Sequence, residues 1–143
     1  MKIQLIDGLM PERAHEGDAG LDLKSAEDIV LGIGDVKTIR CGFKMALEKG
    51  FEAQVRSRSG LAAKNQIIVL NAPGTIDSGY RGEVMVILAN LGPNEFHIKS
   101  GDRIAQMVIA KYESPKIEEV KDLDETPRGE GGIGSTGTKE IKK

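Results

Sequence analysis

The chain has 143 residues, the size of one ordinary domain, and folding should bury roughly 68–70% of the surface of a chain this long. Lys and Arg total 20 against 22 Asp and Glu, and the formal net charge of −2 argues against a basic face for long nucleic-acid duplexes. Three Phe, two Tyr and no Trp leave few platforms for stacking single strands, whereas glycine reaches 18 residues. Cys41 stands alone, which predicts no internal disulfide and indicates a reducing compartment.

In chain order, the first half of the sequence predicts short strands. Residues 1–7 show no signal-peptide features, and a strand is expected at 3–6. Further strands are expected at 29–31 and, from apolar residues at every second position, at 39–48 and 51–56. Such strands put one face in the core and the other towards water or a partner.

The second half of the sequence continues the pattern. Residues 61–64 favour about one helical turn. Short strands are expected at 66–70, 96–98 and 117–120, and the more continuously apolar runs 84–89 and 104–110 predict strands buried on both faces, in a sandwich or against another subunit. With Gly and Pro between them, these elements predict an all-β sandwich, barrel or jelly roll. Since 84–89 is the longest apolar run and is too short to cross a bilayer, we expect a soluble protein of the cytoplasm, with neither a membrane nor a nucleic acid as partner.

The C-terminal residues differ in composition from the rest. From residue 126 onward apolar residues become scarce and glycines crowd together, which predicts a core domain at 1–125 and a flexible arm at 126–143. The glycine spacing fits the dinucleotide fingerprint, but that fingerprint needs a βαβ unit that the chain does not offer. Two interpretations remain: an anion-binding nest aided by Arg128 and Ser135, or a solvated terminus.

A serine flanked by arginines follows the predicted strand 51–56. Arg58, Ser59 and Gly60 precede the helical turn, where backbone N–H groups, a hydroxyl and a guanidinium suit a phosphate. The alternative is a serine N-cap with exposed arginines.

The densest polar segment is residues 71–83. Pro73 and Gly74 predict a type II turn, and 77–79 predict a second turn in an irregular hairpin. Asp77 lies beside an aromatic residue and arginines, as a general base would. The alternative is an Asx turn with Tyr80 packed at the entry to a strand.

Two further polar residues interrupt apolar strands. Asp22 is either a strand-edge carboxylate or a group that holds an arginine or a metal-bound water. Gln106 is either a structural bridge or a ligand contact, because a buried amide must be paired. His15 and His97 lack metal-ligand spacing and are expected to be ordinary surface or core residues.

Taken together, these segments resemble, in order and spacing, the five motifs of the homotrimeric dUTPase family. The motifs are similar to residues 19–23, 58–62, 74–83 with Asn71 just ahead, 101–107 and 128–137. The resemblance covers essentially the whole chain. Two positions depart from the family pattern: Ser57 stands where proline is usual, and Ile133 stands where the family commonly has the Phe that caps uracil.

The resemblance implies a jelly-roll-like, distorted β-barrel with one short helix, assembled as a homotrimer with active sites at subunit interfaces. It implies that Asp77 activates a water for attack on the α-phosphorus of dUTP, with Mg²⁺ on the triphosphate and Asp22 in reach of the metal through water. The other substrate-binding residues that it implies, several of them around the base and the rest near the phosphates, are Arg58, Ser59, Gly60, Asn71, Thr75, Ile76, Tyr80, Met85, Gln106, Arg128, Ile133, Gly134 and Ser135.

The function that this implies is hydrolysis of dUTP to dUMP and pyrophosphate, which keeps uracil out of DNA and supplies dUMP for thymidylate synthesis. Two alternatives stay open: a dCTP deaminase of the same superfamily, and a trimeric nucleotide-sensing or interaction module without catalysis. A cellular protein and a viral or phage protein acting inside its host would share these motifs.

Overall fold

A computed structural model describes residues 1–132 of the chain, and their regular structure consists of ten strands and one short helix. In chain order these elements are β1 (Lys2–Leu5), β2 (Gly20–Lys24), β3 (Ile29–Leu31), β4 (Val36–Ala46), β5 (Phe51–Arg56), α1 (Ser59–Asn65), β6 (Ile67–Val69), β7 (Gly74–Ile76), β8 (Glu83–Asn90), β9 (Phe96–Ile98) and β10 (Arg103–Lys111).

The strands form two four-stranded sheets and a two-stranded sheet. The first sheet has the order β1-β4-β8-β6, the second has the order β2-β10-β5-β7, and β3 pairs with β9. All pairs are antiparallel. The predicted all-β, jelly-roll-like class is confirmed, although the described strands form open sheets and not a closed barrel.

The core is made of the inward-facing residues of both four-stranded sheets. Ile39 and Phe43 of β4 are buried in one cluster with Leu23 of β2 and Met107 of β10. Because side chains alternate along a strand, the same strands present a second face outward, and that face carries the candidate site.

The strand β4 bends at a bulge that is important for the site. Its pairing with β8 shifts register between Arg40 and Lys44. Gly42 lies in this interval with a φ of +69°, and a Cβ there would lie 2.3 Å from the backbone nitrogen of Gly8. Only glycine allows both the left-handed backbone and this close approach.

The helix is longer than predicted and begins differently. Arg58 is the N-cap and Ser59 is the first helical residue, so the expectation of a serine N-cap is wrong. The helix ends at Asn65, and its C-cap Gln66 adopts a left-handed φ of 56° and donates its backbone N–H to the carbonyl oxygen of Ala62.

Several strand predictions need correction. Residues 117–120 form no strand, and the side chain of Ile117 is 94% exposed. The residues from 112 to 132 contain neither helix nor strand. For 84–89, burial of both faces within one chain is wrong, because Met85 on the outer face of β8 is 46% exposed, and burial against another subunit stays a prediction.

The segment 71–83 is not a hairpin. β7 pairs with β5 in the second sheet, whereas β8 pairs with β4 and β6 in the first, so the chain crosses between sheets at residues 77–82. The predicted type II turn is also wrong, since Gly74 begins β7 and lacks the positive φ that the third residue of such a turn requires. The second predicted turn is confirmed, because the backbone N–H of Tyr80 donates to the backbone carbonyl oxygen of Asp77 at 3.0 Å.

Candidate active site

A cavity of about 240 Å³, here called the loop cavity, lies between the segment 71–77, the loop 77–82 and the outer face of β8. Six residues that the sequence motifs assign to substrate binding line it together: Asn71, Thr75, Ile76, Asp77, Tyr80 and Met85. The structure therefore brings together the carboxylate, the phenol and the amide that the sequence analysis assigned to one ligand.

The loop 77–82 is held by hydrogen bonds from its own side chains. The guanidinium of Arg81 donates to two loop carbonyl oxygens, each at 2.7 Å. The hydroxyl of Tyr80 donates to the carbonyl oxygen of Glu83 at 3.0 Å, which ties the tip of the loop to the first residue of β8. Asp77 and the ring of Tyr80 thus have defined positions at the wall of the loop cavity.

Two glycines make room for the polar groups of the loop cavity. A Cβ on Gly82 would lie 2.2 Å from the hydroxyl oxygen of Tyr80 and 2.4 Å from its Cζ, so the ring lies directly against the glycine. A Cβ on Gly74 would lie 3.0 Å from the side-chain amide nitrogen of Asn71. The backbone can therefore approach a flat ligand closely here, and its N–H and C=O groups can serve as partners.

A second cavity of about 440 Å³, the arginine cavity, lies beside β2 and the start of β10. The carboxylate of Asp22 faces two guanidinium groups there, with Nη1 of Arg103 at 3.1 Å from one oxygen and Nε of Arg58 at 3.4 Å from the other. Arg58 also donates from Nη1 to the carbonyl oxygen of Arg103 at 2.6 Å. The pairing holds two planar forks side by side, the geometry suited to phosphate oxygens.

Gln106 joins the arginine cavity to the strand beside it. Its side-chain nitrogen donates to the carbonyl oxygen of Ser57 at 2.9 Å. Its side-chain oxygen lies over Gly20, where a Cβ would come within 2.6 Å. The structure therefore bears out the bridging interpretation, and Gln106 also lines the cavity where a ligand contact was expected.

The remaining predicted phosphate contacts lie around these cavities or beyond the described residues. Ser59 and Gly60 are exposed in the first turn of α1, next to Arg58. Arg128 is exposed and donates from Nε to the carbonyl oxygen of Gly131 at 2.8 Å. The predicted contacts Ile133, Gly134 and Ser135 lie outside the described residues.

The two cavities are separated within one chain. The second sheet has the order β2-β10-β5-β7, so Asp22 on β2 and Thr75 on β7 are three strand spacings apart, roughly 14 Å across the sheet. The linings of the two cavities share no residue. A ligand that reached both kinds of group at short range would need two copies of the chain, or would have to span this distance.

Metal-binding groups are sparse in the described part of the chain. Within residues 1–132 no group of three or more His, Cys, Asp and Glu side chains is placed to hold a metal. Asp18 and Asp22 both line the arginine cavity, and each oxygen of Asp22 retains a free lone pair beside its arginine. Since Mg²⁺ in phosphate sites usually keeps several waters and takes one or two carboxylates, this donor set fits Mg²⁺ carried on a triphosphate.

Several lining residues escaped the sequence analysis, and three of them illustrate why. Thr38 and Ile87 face the loop cavity as register partners on β4 and β8. Ile87 follows Met85 by two residues on the same strand, so alternation could have identified it. Arg103 was part of a recognised motif, but its contact with Asp22 depends on the register between β10 and β2, which sequence patterns do not reveal.

The fold and the two cavities define an all-β protein of the jelly-roll class, with one cavity suited to a flat polar ring and the other to phosphates. Among residues 1–132 no helix is long and apolar enough to span a membrane. In a comparison with known protein families, the dUTPase family model matches residues 7–137. The chain belongs to the dUTPase family.

Individual relatives match over most of their length. The deoxyuridine 5'-triphosphate nucleotidohydrolase of Clostridium novyi is 57% identical over 129 residues, covering 90% of this chain and 91% of that protein. Its counterpart in Clostridium acetobutylicum is 54% identical over 141 residues and covers 97% of both chains.

Solved structures share the fold. The dUTPase of Staphylococcus bacteriophage 80alpha, in a mutant form with dUpNHpp, is similar with a TM-score of 0.88 at 27% identity, over 95% of this chain and 97% of that one. A mutant dUTPase from phage phi11 of S. aureus, whose structure shows the coordination of a structural Mg(II) ion, has a TM-score of 0.80 at 25% identity, over 87% and 98%.

Proposed function

We propose that the protein is a dUTP diphosphatase, which hydrolyses dUTP to dUMP and pyrophosphate. The observation that carries the proposal is the loop cavity, where Asn71, Asp77 and Tyr80 converge on a space of about 240 Å³. Relatives more than half identical over nearly the whole chain are named for this activity.

The proposed chemistry is in-line attack of water on the α-phosphorus. Asp77 orients the water and takes its proton, as a general base within hydrogen-bond reach does. A bond forms between the water oxygen and the α-phosphorus, and the bond from that phosphorus to the oxygen bridging to the β-phosphorus breaks. Its electron pair leaves with pyrophosphate. Asp77 is suited to this role because it lies at the wall of the loop cavity, at the start of a loop with a defined conformation.

The base and the sugar are selected at the loop cavity. Uracil presents an N3–H donor between two carbonyl acceptors, and cytosine replaces one acceptor with an amine donor. Asn71 and the backbone of Thr75 and Ile76 offer matched partners, which a cytosine would leave unpaired at a heavy penalty. The ring of Tyr80 lies under the deoxyribose and leaves no space for a 2′-hydroxyl, and Met85 closes the apolar side.

Basic and small residues bind the triphosphate in this proposal. The guanidinium of Arg58 and the backbone of Ser59 and Gly60 contact phosphate oxygens, and Gln106 supplies a further contact from β10. Arg128 and the arm then close over the terminal phosphate through Gly134 and Ser135. Ile133 provides an aliphatic lid over the base where the family commonly has an aromatic ring.

Mg²⁺ carried on the triphosphate would neutralise charge developing on the leaving pyrophosphate. Asp22, which keeps its two arginine contacts, would reach the metal through water. The structural Mg(II) ion in the phage phi11 dUTPase supports a role for this metal in the family.

We further propose that the active unit is a homotrimer with its sites at subunit interfaces. Two observations support this. The loop cavity and the arginine cavity are roughly 14 Å apart in one chain, so one triphosphate meets both more readily across an interface. The first sheet and its flanking residues also expose apolar side chains: Val36 by 54%, Leu70 by 52% and Met85 by 46%.

In the cell this activity would keep uracil out of DNA and supply dUMP for thymidylate synthesis. We place it in the cytoplasm, as the free, buried thiol of Cys41 suits a reducing compartment. In this proposal the chain consists of a β domain over 1–125 and an arm over 126–143 that closes over the phosphates. The last strand among the described residues ends at Lys111, before the proposed arm begins.

The test is pyrophosphate release from dUTP, dCTP, dTTP and UTP with Mg²⁺, for the natural protein and for Asp77→Asn. We expect turnover of dUTP alone and a loss of at least a hundredfold in kcat for the variant. Equal turnover of all four nucleotides, or full activity of Asp77→Asn, would overturn the proposal. Ammonia release from dCTP would favour the deaminase, and tight dUTP binding without turnover would favour a sensing module.

A further inference from the structure

At the bulge in β4, one backbone N–H lacks a backbone partner in β8 and instead donates to a side chain. In the interval where β4 and β8 lose register, the N–H of Gly42 donates to Oε1 of Glu83 at 2.9 Å. Glu83 is the first residue of β8 and its side chain is 20% exposed. Its carboxylate therefore takes the place of a strand partner at the point where the loop 77–82 joins the sheet.

The carboxylate of Glu83 is also paired with Arg40, and the guanidinium of Arg40 in turn contacts the carboxylate of Asp7. Nε of Arg40 lies 3.1 Å and 3.2 Å from the two oxygens of Glu83. Nη2 of Arg40 lies 2.9 Å from both oxygens of Asp7. Hydrogen bonds from Arg40 to Glu83 and to Asp7 raise the pKa of the guanidinium, so Arg40 keeps its charge between the two side chains.

Asp7 is itself locked to the bulge. The backbone N–H groups of Ile6, Asp7 and Gly8 all point at the carbonyl oxygen of Gly42, at 2.8, 3.2 and 3.0 Å. A Cβ on Gly8 would lie 2.1 Å from the carbonyl oxygen of Cys41, so the two backbones cross in direct contact. The N-terminal segment thus presents Asp7 to Arg40 from a fixed position.

Glu83 connects this charged chain to the loop. Its side chain binds Gly42 and Arg40, and its own carbonyl oxygen accepts the hydroxyl of Tyr80 at 3.0 Å. Resting on the proposed function for what the loop does, we infer that Glu83, Arg40 and Asp7 are positioning residues that set the place of Tyr80, and with it the loop carrying Asp77. Arg40 and Asp7 lie outside the lining of the loop cavity; Glu83 belongs to that lining, but in the role inferred here it acts through Tyr80.

The composition of the chain allows a direct measurement of the loop. It has two tyrosines and no tryptophan, so Tyr112→Phe leaves Tyr80 as the sole strong fluorophore. In that background, acrylamide quenching of Tyr80 is measured for Glu83→Gln and Asp7→Asn. Asp28→Asn is the matched control, because it breaks a surface pair with Lys99 outside the network. Values of kcat and KM for dUTP are measured for the same three substitutions in the natural background.

We expect Glu83→Gln to raise the quenching constant at least about 1.5-fold and to lower kcat at least tenfold, with a smaller change in the same direction for Asp7→Asn. The thermal midpoint should fall by only about 3 °C, close to the control, because glutamine keeps a side-chain oxygen for the N–H of Gly42 and asparagine keeps one for Arg40. If quenching and kcat match Asp28→Asn for both variants, the inference is wrong. If the natural protein fails to hydrolyse dUTP, the proposed function is wrong. The quenching result still tests the network in that case: a raised constant supports the positioning of Tyr80, and an unchanged constant contradicts it.

Discussion

Replacing Gly82 by alanine tests whether the position of the Tyr80 ring determines how the loop cavity binds and selects its substrate. The added Cβ would lie 2.2 Å from the hydroxyl oxygen and 2.4 Å from Cζ, more than 1 Å inside the roughly 3.5 Å of a normal contact. The ring is 41% exposed and free to swing outward, so it will yield before the backbone does. The stability lost is one hydrogen bond, from Tyr80 to Glu83, or about 1 kcal/mol.

The expected result for Gly82→Ala is therefore a small change in stability with a large change in activity. At fixed protein concentration the thermal midpoint should fall by roughly 3–6 °C. By contrast, kcat/KM for dUTP should fall at least tenfold, about 1.4 kcal/mol, and the preference for dUTP over UTP should shrink because the sugar loses its neighbour. Gly79→Ala is the control in the same loop, since among the described residues nothing lies within 4 Å of the added Cβ. Equal activity of the two variants would refute the reasoning.

Three further predictions follow from other parts of the molecule. An equal mixture of Asp77→Asn and Arg58→Met chains, each inactive alone, should regain about a quarter of natural activity if the proposed trimer forms and each site takes these residues from different copies, and none if one chain supplies both. Asn90→Ala should cost about 3 kcal/mol in urea unfolding, against less than about 0.5 kcal/mol for the exposed Asn94→Ala, because the buried Asn90 amide satisfies the backbone groups of Leu31, Gly92 and Asn94. Burial, with a contribution from the charge of Glu83, raises the pKa of Cys41 from 9.0 to about 12. At pH 9 about half of the unfolded thiol but only about a thousandth of the folded thiol is thiolate, so the folded protein should react with iodoacetamide at least about five-hundredfold more slowly than the urea-unfolded one. The stabilising effect of the buried thiol should be complete below pH 9 and lost as the pH rises towards about 12.

Local patterns predicted the strands well where a strand has one buried face. β3 and β9 have the predicted bounds, and β5 does too, because alternation and turn residues are local properties. The run 117–120 failed for the opposite reason. Its apolar spacing resembles a strand, but within the described residues no neighbouring strand pairs with it, and Ile117 is exposed.

The candidate site was predictable in its membership but not in its arrangement. The motifs identified Asn71, Asp77 and Tyr80, which the structure gathers in one cavity. The crossing of 77–82 between two sheets was not predictable, because strand pairing depends on contacts far apart in sequence. The role of Gly42 is similar, since its bulge is imposed by the crossing of Gly8 against the strand.

The central claim, that water directed by Asp77 attacks the α-phosphorus of dUTP, is tested most directly by turnover in water enriched in oxygen-18. Mass spectrometry of the products shows which phosphorus received the solvent oxygen. We predict one labelled oxygen in the phosphate of dUMP and none in pyrophosphate. Label in pyrophosphate, or release of inorganic phosphate in place of pyrophosphate, would contradict the claim.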